Sequence, residues 1–289
     1  MIFYSLKMAK KEGQVREGIP YIPQSNELDV SYACYRLQLP LMLRGPTGIG
    51  KTTLVSHLAD ELGVPLVSEP CNEDTVAADL IGRNMPSGWI DGSATRSLRH
   101  EDGAIYYLDE LGEAREDAIV VMHSLTDDRR ELDVSAHDET LRANDKWMLV
   151  ASYNPFYRIQ GKIKPSTAQR FITLDIGYPN EDVEASIVNA HLGNAGDFSR
   201  GTSRIEYKPN EKVPIKELVH LANDYRRVAE SGDSLTLREG PGTRLVARTA
   251  RLIQYGLPEM LAIEAGMINP LTYDPEQKQA MKDIAEKLF

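Results

Sequence analysis

The chain has 289 residues, enough to bury a full core in one large domain or two moderate ones. Apolar residues at 42% and charged residues at 26% are ordinary for a soluble globular protein, and no run approaches the ~18 apolar residues that suggest a membrane span. A formal charge of −10 argues against nucleic acid as the main partner, leaving room only for a local basic patch.

Two cysteines occur, Cys34 and Cys71, without metal-ligand spacing or the look of a disulfide framework, so a reduced, cytoplasmic setting is expected. Met1–Met8 is too short and mixed for a signal peptide, and Met8 is a second possible start. Residues 7–26 are polar, with Lys10-Lys11, Gly13, Gly18, Pro20 and Pro23, and read as an arm. A helix is expected over Asn26–Leu37, with Leu28, Ala33 and Leu37 as its buried positions.

The apolar run Leu39–Leu43 then meets a glycine-rich turn. Gly45–Thr52 reads GPTGIGKT and fits G-x-x-x-x-G-K-[ST], the nucleotide phosphate loop. Gly45, Pro46, Thr47, Gly48, Ile49 and Gly50 form the loop, and Gly48 and Gly50 let backbone N–H groups approach phosphate oxygens. The helix that follows, through Thr53, points its positive end at the same anion. Lys51 is expected to reach the β- and γ-phosphates of ATP, and Thr52 to face Mg²⁺. The competing reading, a Gly-Pro turn that binds nothing, is weakened by the flanking strand and helix.

That helix carries Leu54, Val55, Leu58, Ala59 and Leu62 at three-four spacing, facing a sheet, and Gly63 ends it. His57 and His123 read as ordinary helix residues rather than metal ligands. A strand over Pro65–Ser68 and a helix over Glu73–Ile81 lead into a Gly82–Gly92 insertion. Trp89 is its exposed candidate, either covering a hydrophobic edge or meeting a partner or central pore.

Ala104–Leu108 is a buried apolar strand that ends in Asp109-Glu110. Asp109 is placed to hold the Mg²⁺ water shell and Glu110 to orient or activate the attacking water. A helix over Ala118–Leu125, with Ile119, Met122 and Leu125 inward, precedes Asp127-Asp128-Arg129-Arg130 and a polar hairpin over Glu131–Asp145. Arg129 and Arg130 read as surface ion pairs, or else face a partner. The strand Trp147–Ser152 delivers Asn154, which either presents its amide to the γ-phosphate or the attacking water, or forms a local Asn-Pro turn. Lys162 and Lys164 make the next loop basic. Ser166–Arg170 then leads into a fifth strand, Phe171–Ile176, with Arg170 at the edge for a neighbouring subunit's γ-phosphate.

Strand-helix alternation stops at Pro179. Helical spacing runs over Glu181–His191, Ile215–Ala229, Thr243–Tyr255, Pro258–Ala265 and Pro275–Leu288, separated by glycine-bearing segments at Gly193–Gly201 and Gly232–Gly242. Arg244 can reach back to the nucleotide, or lie on the surface of a helix start capped by Thr243. The organisation read from the chain is an arm over 1–25, an α/β unit over 26–180 and a helical unit over 181–289.

A phosphate loop, a strand-end Asp-Glu, a strand-end Asn, an edge Arg and a helical C-terminal unit occur here in the order of an AAA+ ATPase. The chain resembles the MoxR branch and, within it, the CbbQ/NorQ family. The likeness rests on GPTGIGKT (Gly45–Thr52), DLIGR (Asp79–Arg83), GAIYYLDE (Gly103–Glu110), EAREDAIVVMHSLTDDRR (Glu113–Arg130), SYNP (Ser152–Pro155), STAQRF (Ser166–Phe171) and GTRLVARTARLI (Gly242–Ile253). The resemblance implies an α/β fold, with a three-layer αβα core on a five-stranded parallel sheet and a helical lid. It makes Lys51 and Thr52 Walker A residues, Asp109 and Glu110 the Walker B pair, Asn154 sensor 1, Arg170 the arginine finger and Arg244 the sensor 2 arginine. Gly112-Glu113 stands where many MoxR relatives have Asn-Arg, which favours the CbbQ/NorQ subgroup and leaves the role of Arg115 open.

The resemblance further implies a homo-hexameric ring using ATP and Mg²⁺, and an adaptor carrying a von Willebrand factor A domain. The client it favours is rubisco, freed from inhibitory sugar phosphates, with nitric-oxide reductase maturation as the alternative. A gas-vesicle ATPase is more distant. Two readings of other kinds are a small-molecule kinase, disfavoured by Asp109-Glu110 and the helical unit, and a nucleotide-gated assembly module with little turnover, disfavoured by Glu110.

Overall fold

The computed structural model describes residues 21–156, 163–193, 209–231 and 237–289. Most of the expected arm, Lys162 and most of the two glycine-bearing connections lie outside the described residues. The chain enters through helix α1 (Glu27–Leu37), strand β1 (Leu41–Arg44), helix α2 (Lys51–Leu62) and strand β2 (Leu66–Pro70). Then come α3 (Ala77–Ile81), a hairpin of β3 (Gly82–Met85) and β4 (Gly88–Asp91), α4 (Ser93–Leu98), β5 (Ala104–Asp109) and α5 (Glu116–Leu125). A second hairpin, β6 (Glu131–Val134) with β7 (Glu139–Arg142), precedes β8 (Trp147–Tyr153), the short α6 (Pro165–Ala168) and β9 (Ile172–Asp175).

Five strands form one parallel sheet in the order β2-β5-β8-β1-β9. The α/β class and the five parallel strands expected from the sequence are what the chain adopts. Its central strands are apolar on both faces, as a sheet covered on both sides requires. Alternate residues sort cleanly. Met42, Tyr106, Leu108, Leu149 and Ala151 join the core shared with α4 and α5, while Leu41, Leu43, Ile105, Tyr107, Met148 and Val150 pack against α1 and α2. The crossovers leave the ends of β1, β5 and β8 side by side at one edge, the place where open parallel sheets bind ligands.

Four local expectations in the sheet half need correction. In α1 the buried residues are Glu27, Ser31 and Cys34, whereas Leu37 is 67% exposed. Glu27 turns inward because its carboxylate accepts from the Tyr21 hydroxyl and from the backbone N–H groups of Gln24 and Ser25. The expected helix over Glu73–Ile81 shortens to Ala77–Ile81, because Asn72 and Thr75 bond locally and turn the chain. Trp89 is not exposed. Its ring meets His137 edge-on at 4.7 Å and its Nε1 donates to Asp91 at 2.7 Å, so it joins the two hairpins, and the exposed apolar residues of the insertion are Ile90 at 50% and Met85 at 42%. Arg129 forms the surface pair with Asp127, but Arg130 instead donates to Gln38 Oε1 and to the carbonyls of Asn144 and Trp147, anchoring the second hairpin.

Beyond the sheet come α7 (Glu181–Gly193), α8 (Ile215–Glu230), α9 (Thr243–Gln254), α10 (Glu259–Ile263), which widens into a π turn over Glu264–Ile268, and α11 (Pro275–Ala285). Leu218, Leu221, Tyr225, Val246, Ala250, Ile253 and Ile263 fill their own core. One ion pair is buried behind it. Arg226 donates through both terminal nitrogens to Glu184 at 2.7 Å, with side-chain exposures of 4% and 0%. Thr243 does not cap α9 as expected; Gly242 is the cap position, and the Thr243 hydroxyl donates to Glu184 at 2.7 Å.

Candidate active site

The phosphate loop is the link between β1 and α2. Gly48 and Gly50 adopt φ of 74° and 102°, the left-handed region where a side chain is strained. This lets the loop curl over the N-terminus of α2. Lys51 is buried, and its Nζ donates to the carbonyls of Gly45 at 2.8 Å and Pro46 at 2.7 Å. Burial pushes its pKa down; the charges of Glu110, Asp109 and Glu239 oppose that shift, and Arg244 adds to it.

The carboxylates arrive on the next strand but one. Register pairs Leu108 with Ala151, so the following position brings Asp109 beside Ser152. Ser152 Oγ donates to Asp109 Oδ1 at 2.7 Å and accepts the Glu110 N–H at 2.8 Å. Tyr107, whose burial holds its phenol protonated well above the usual range, donates to the same Oδ1 at 2.7 Å. The other oxygen, Oδ2, accepts from Thr52 Oγ1 at 3.3 Å. Asp109 is therefore fixed on its far side by two hydroxyls and faces Thr52 with the other. A hydroxyl and a carboxylate are hard oxygen donors that fit Mg²⁺, which takes phosphate and water oxygens for the rest of its shell.

Glu110 is half-buried and has φ 59° and ψ 46°. Burial raises its pKa first; the carboxylates of Asp109, Glu113 and Glu239 raise it further, while Lys51 opposes them. Asn154 is 2% exposed. Its Oδ1 accepts the Phe156 N–H at 2.9 Å, the local turn, while its Nδ2 donates to Thr47 Oγ1 at 2.8 Å. Both expected roles of this side chain are thus compatible, one for each end of the amide.

Arg244 comes to the loop through its backbone, its N–H donating to Gly48 O at 3.0 Å. Arg170 is exposed beyond α6. Among the described residues no hydrogen bond or ion pair joins it to the phosphate loop, Asp109 or Glu110, and its charge together with burial lowers the pKa of His123. Arg115 pairs with Asp117.

Three residues of this arrangement went unread in the sequence: Tyr107, Ser152 and Glu239. The first two follow from register, since they flank Asp109 on its own strand and on the neighbouring one. Glu239 stands just before the Gly-Pro-Gly-Thr-Arg run, in a segment read only as a connection.

Comparison with known proteins shows the family. Residues 40–171 match the AAA domain (dynein-related subfamily), and residues 210–288 match the CbbQ/NirQ/NorQ C-terminal region. The chain is 42% identical to Protein NorQ of Paracoccus denitrificans, covering 93% of each. It is 38% identical to Protein CbbQ of Hydrogenophilus thermoluteolus, covering 95% of this chain and 97% of that one. The Denitrification regulatory protein NirQ of Pseudomonas aeruginosa is also 38% identical, over 94% of this chain and 98% of its own. In fold it is similar to a putative ATPase from Cytophaga hutchinsonii, with TM-score 0.50 and 15% identity over 91% of this chain and 89% of that one. A Thermotoga maritima RuvB gives TM-score 0.50 at 16% identity, over 93% of this chain and 70% of the other. A phosphate loop beside a strand-end Asp-Glu, followed by a helical region with its own family match, places the chain in the CbbQ/NirQ/NorQ family of AAA+ ATPases.

Proposed function

We propose that the chain hydrolyses Mg²⁺-bound ATP and uses the reaction to remodel a protein client within a homo-hexameric ring. The observation that carries this reading is the fixed Asp109 carboxylate, held by Tyr107 and Ser152 and turned toward Thr52 under the phosphate loop. The backbone of Gly45 through Thr53 cradles the phosphates, and Lys51 and Arg244 stabilise their charge. Thr52 and Asp109 hold Mg²⁺, which neutralises charge on the phosphate oxygens.

Glu110 accepts a proton from the attacking water as its oxygen bonds to the γ-phosphorus and the bond to the bridging oxygen breaks. The raised pKa of Glu110 makes it a better base than an exposed carboxylate. Asn154 orients that water or the terminal phosphate. Arg170, exposed and without an ion pair to its own chain's loop among the described residues, completes the site of the neighbouring subunit. The working division is an α/β core over 26–180 and a helical lid over 181–289, with residues 1–25 as an arm. Buried, unpaired Cys34 and Cys71 support a reduced compartment, the cytoplasm.

The adaptor in this reading carries a von Willebrand factor A domain. For the client, rubisco and nitric-oxide reductase each have support from a relative, Protein CbbQ at 38% identity and Protein NorQ at 42%. Affinity capture with the Glu110→Gln protein and ATP tests this. Recovery of the adaptor with rubisco selects the first client, and recovery with nitric-oxide reductase the second; no ATP-dependent capture of either would sink the remodelling reading. For the shared site, Arg170→Ala subunits mixed into wild-type rings are expected to lower ATPase activity more steeply than their share. A loss merely proportional to that share would overturn the role in trans.

A further inference from the structure

Glu239 reaches the phosphate loop from the helical side of the molecule. Its Oε1 accepts the backbone N–H of Thr47 at 2.5 Å, and its Oε2 lies 3.4 Å from Asn154 Nδ2. Both donors lie where β1 and β8 end, next to the strand that delivers Glu110. A loop amide and a side-chain amide converging on one anion are what a terminal phosphate oxygen needs. Here the anion is a carboxylate of the protein itself.

The backbone just after Glu239 is anchored by hydrogen bonds. Arg226 donates to Pro241 O at 3.0 and 2.8 Å, and the Tyr178 hydroxyl donates to Gly240 O at 3.2 Å. Gly242 lies so close to the loop that a Cβ there would stand 2.2 Å from Thr47 O. The backbone next to Glu239 is therefore tied to the Glu184–Arg226 pair behind it.

We propose that Glu239 is a positioning residue that competes with the terminal phosphate of ATP for Thr47 and Asn154, so that ATP, more than ADP, must displace this carboxylate in order to bind. Two anions cannot share these donors without repulsion, and only the nucleotide with a third phosphate brings the second anion there. Glu239 thus sets the preference between the two nucleotides. This rests on the ATP site proposed above.

Equilibrium binding of a non-hydrolysable ATP analogue and of ADP, with Mg²⁺, to wild type, Glu239→Gln and Glu239→Ala tests it. Both variants are expected to bind the analogue roughly tenfold tighter, the scale of one charge-assisted hydrogen bond, with ADP affinity changed less than about twofold. Glu239→Gln keeps the size of the side chain, and its thermal unfolding checks the fold. A purely structural role would weaken both nucleotides together, and an unchanged ratio of the two affinities, or a weaker analogue, overturns the proposal. Failure of the wild type to bind either nucleotide would instead defeat the site assignment, and this inference with it.

Discussion

The sheet half and the helical half of this molecule use charge in opposite ways. In the sheet half the central strands are apolar, and their charged side chains stand at strand ends, half-buried like Asp109 and Glu110 or exposed like Arg44 and Asp175. In the helical half a complete ion pair, Glu184 with Arg226, is sealed inside. Desolvating two charges is expensive, and such a pair often adds no net stability over a well-packed apolar substitute. Its position suggests what it does instead: with Thr243 and Pro241 it fixes the segment that touches the phosphate loop. At the strand ends Asp109 and Glu110 are set out for the proposed chemistry; the buried pair of the helical half holds geometry.

The sharpest way to break this contrast is at the sheet edge. Glu110→Gln is expected to keep ATP binding and lose hydrolysis by about 10²–10⁴-fold, the scale of general-base catalysis. Turnover near wild type would mean the strand-end charges are not the chemistry. Next comes the buried pair. Arg226→Met leaves Glu184 buried without its cation and is expected to cost about 3–5 kcal/mol in denaturant unfolding. Adding Glu184→Leu should restore much of that stability, while nucleotide affinity stays altered because the loop has lost its anchor. A double variant no better than the single one would contradict the geometric role.

A smaller effect is expected in the pH dependence. With Glu110 as the proposed base, its pKa raised by burial above the ordinary 4.5, the acid limb of kcat/KM is expected above that pH. The sign for stability runs with it. A raised carboxyl binds its proton more tightly when folded, so its contribution favours the folded state at low pH and is lost as pH rises through the raised value. Because Glu239 is among the charges that raise it, Glu239→Gln should move the acid limb to lower pH. A limb that does not move would separate the two carboxylates. The least effect belongs to the exposed Arg44–Asp175 pair. Asp175→Asn is expected to change stability by less than about 1 kcal/mol, vanishing in high salt, as a solvated pair should.

Much of this was legible in the chain because it depends on local pattern. Glycine, lysine and threonine at fixed spacing specify the loop, and a five-residue apolar run predicts the buried strand that ends at Asp109. Three-four spacing correctly placed Leu54, Val55, Leu58 and Ala59 inward. Residues whose surroundings come from distant chain were harder. Arg130 looks like a surface charge, yet it is pulled inward by Gln38 and by the Trp147 carbonyl, which only folding brings near. Trp89 needed His137, from a hairpin far along the chain, before its position made sense. Glu239 was missed for the same reason, since its partners Thr47 and Asn154 lie on the other half of the molecule.

Glu110 also carries a consequence for how the protein could change over time. Its backbone takes the left-handed conformation, which it shares with Gln38, Arg130 and Asp138 and with glycines such as Gly48 and Gly50. For a residue with a Cβ this conformation costs about 1 kcal/mol or more. Glycine at this position would relieve the strain and give a sturdier fold with no carboxylate to meet the water. Robustness and turnover pull against each other at one residue, so a screen for thermal tolerance alone would drift toward an inert protein.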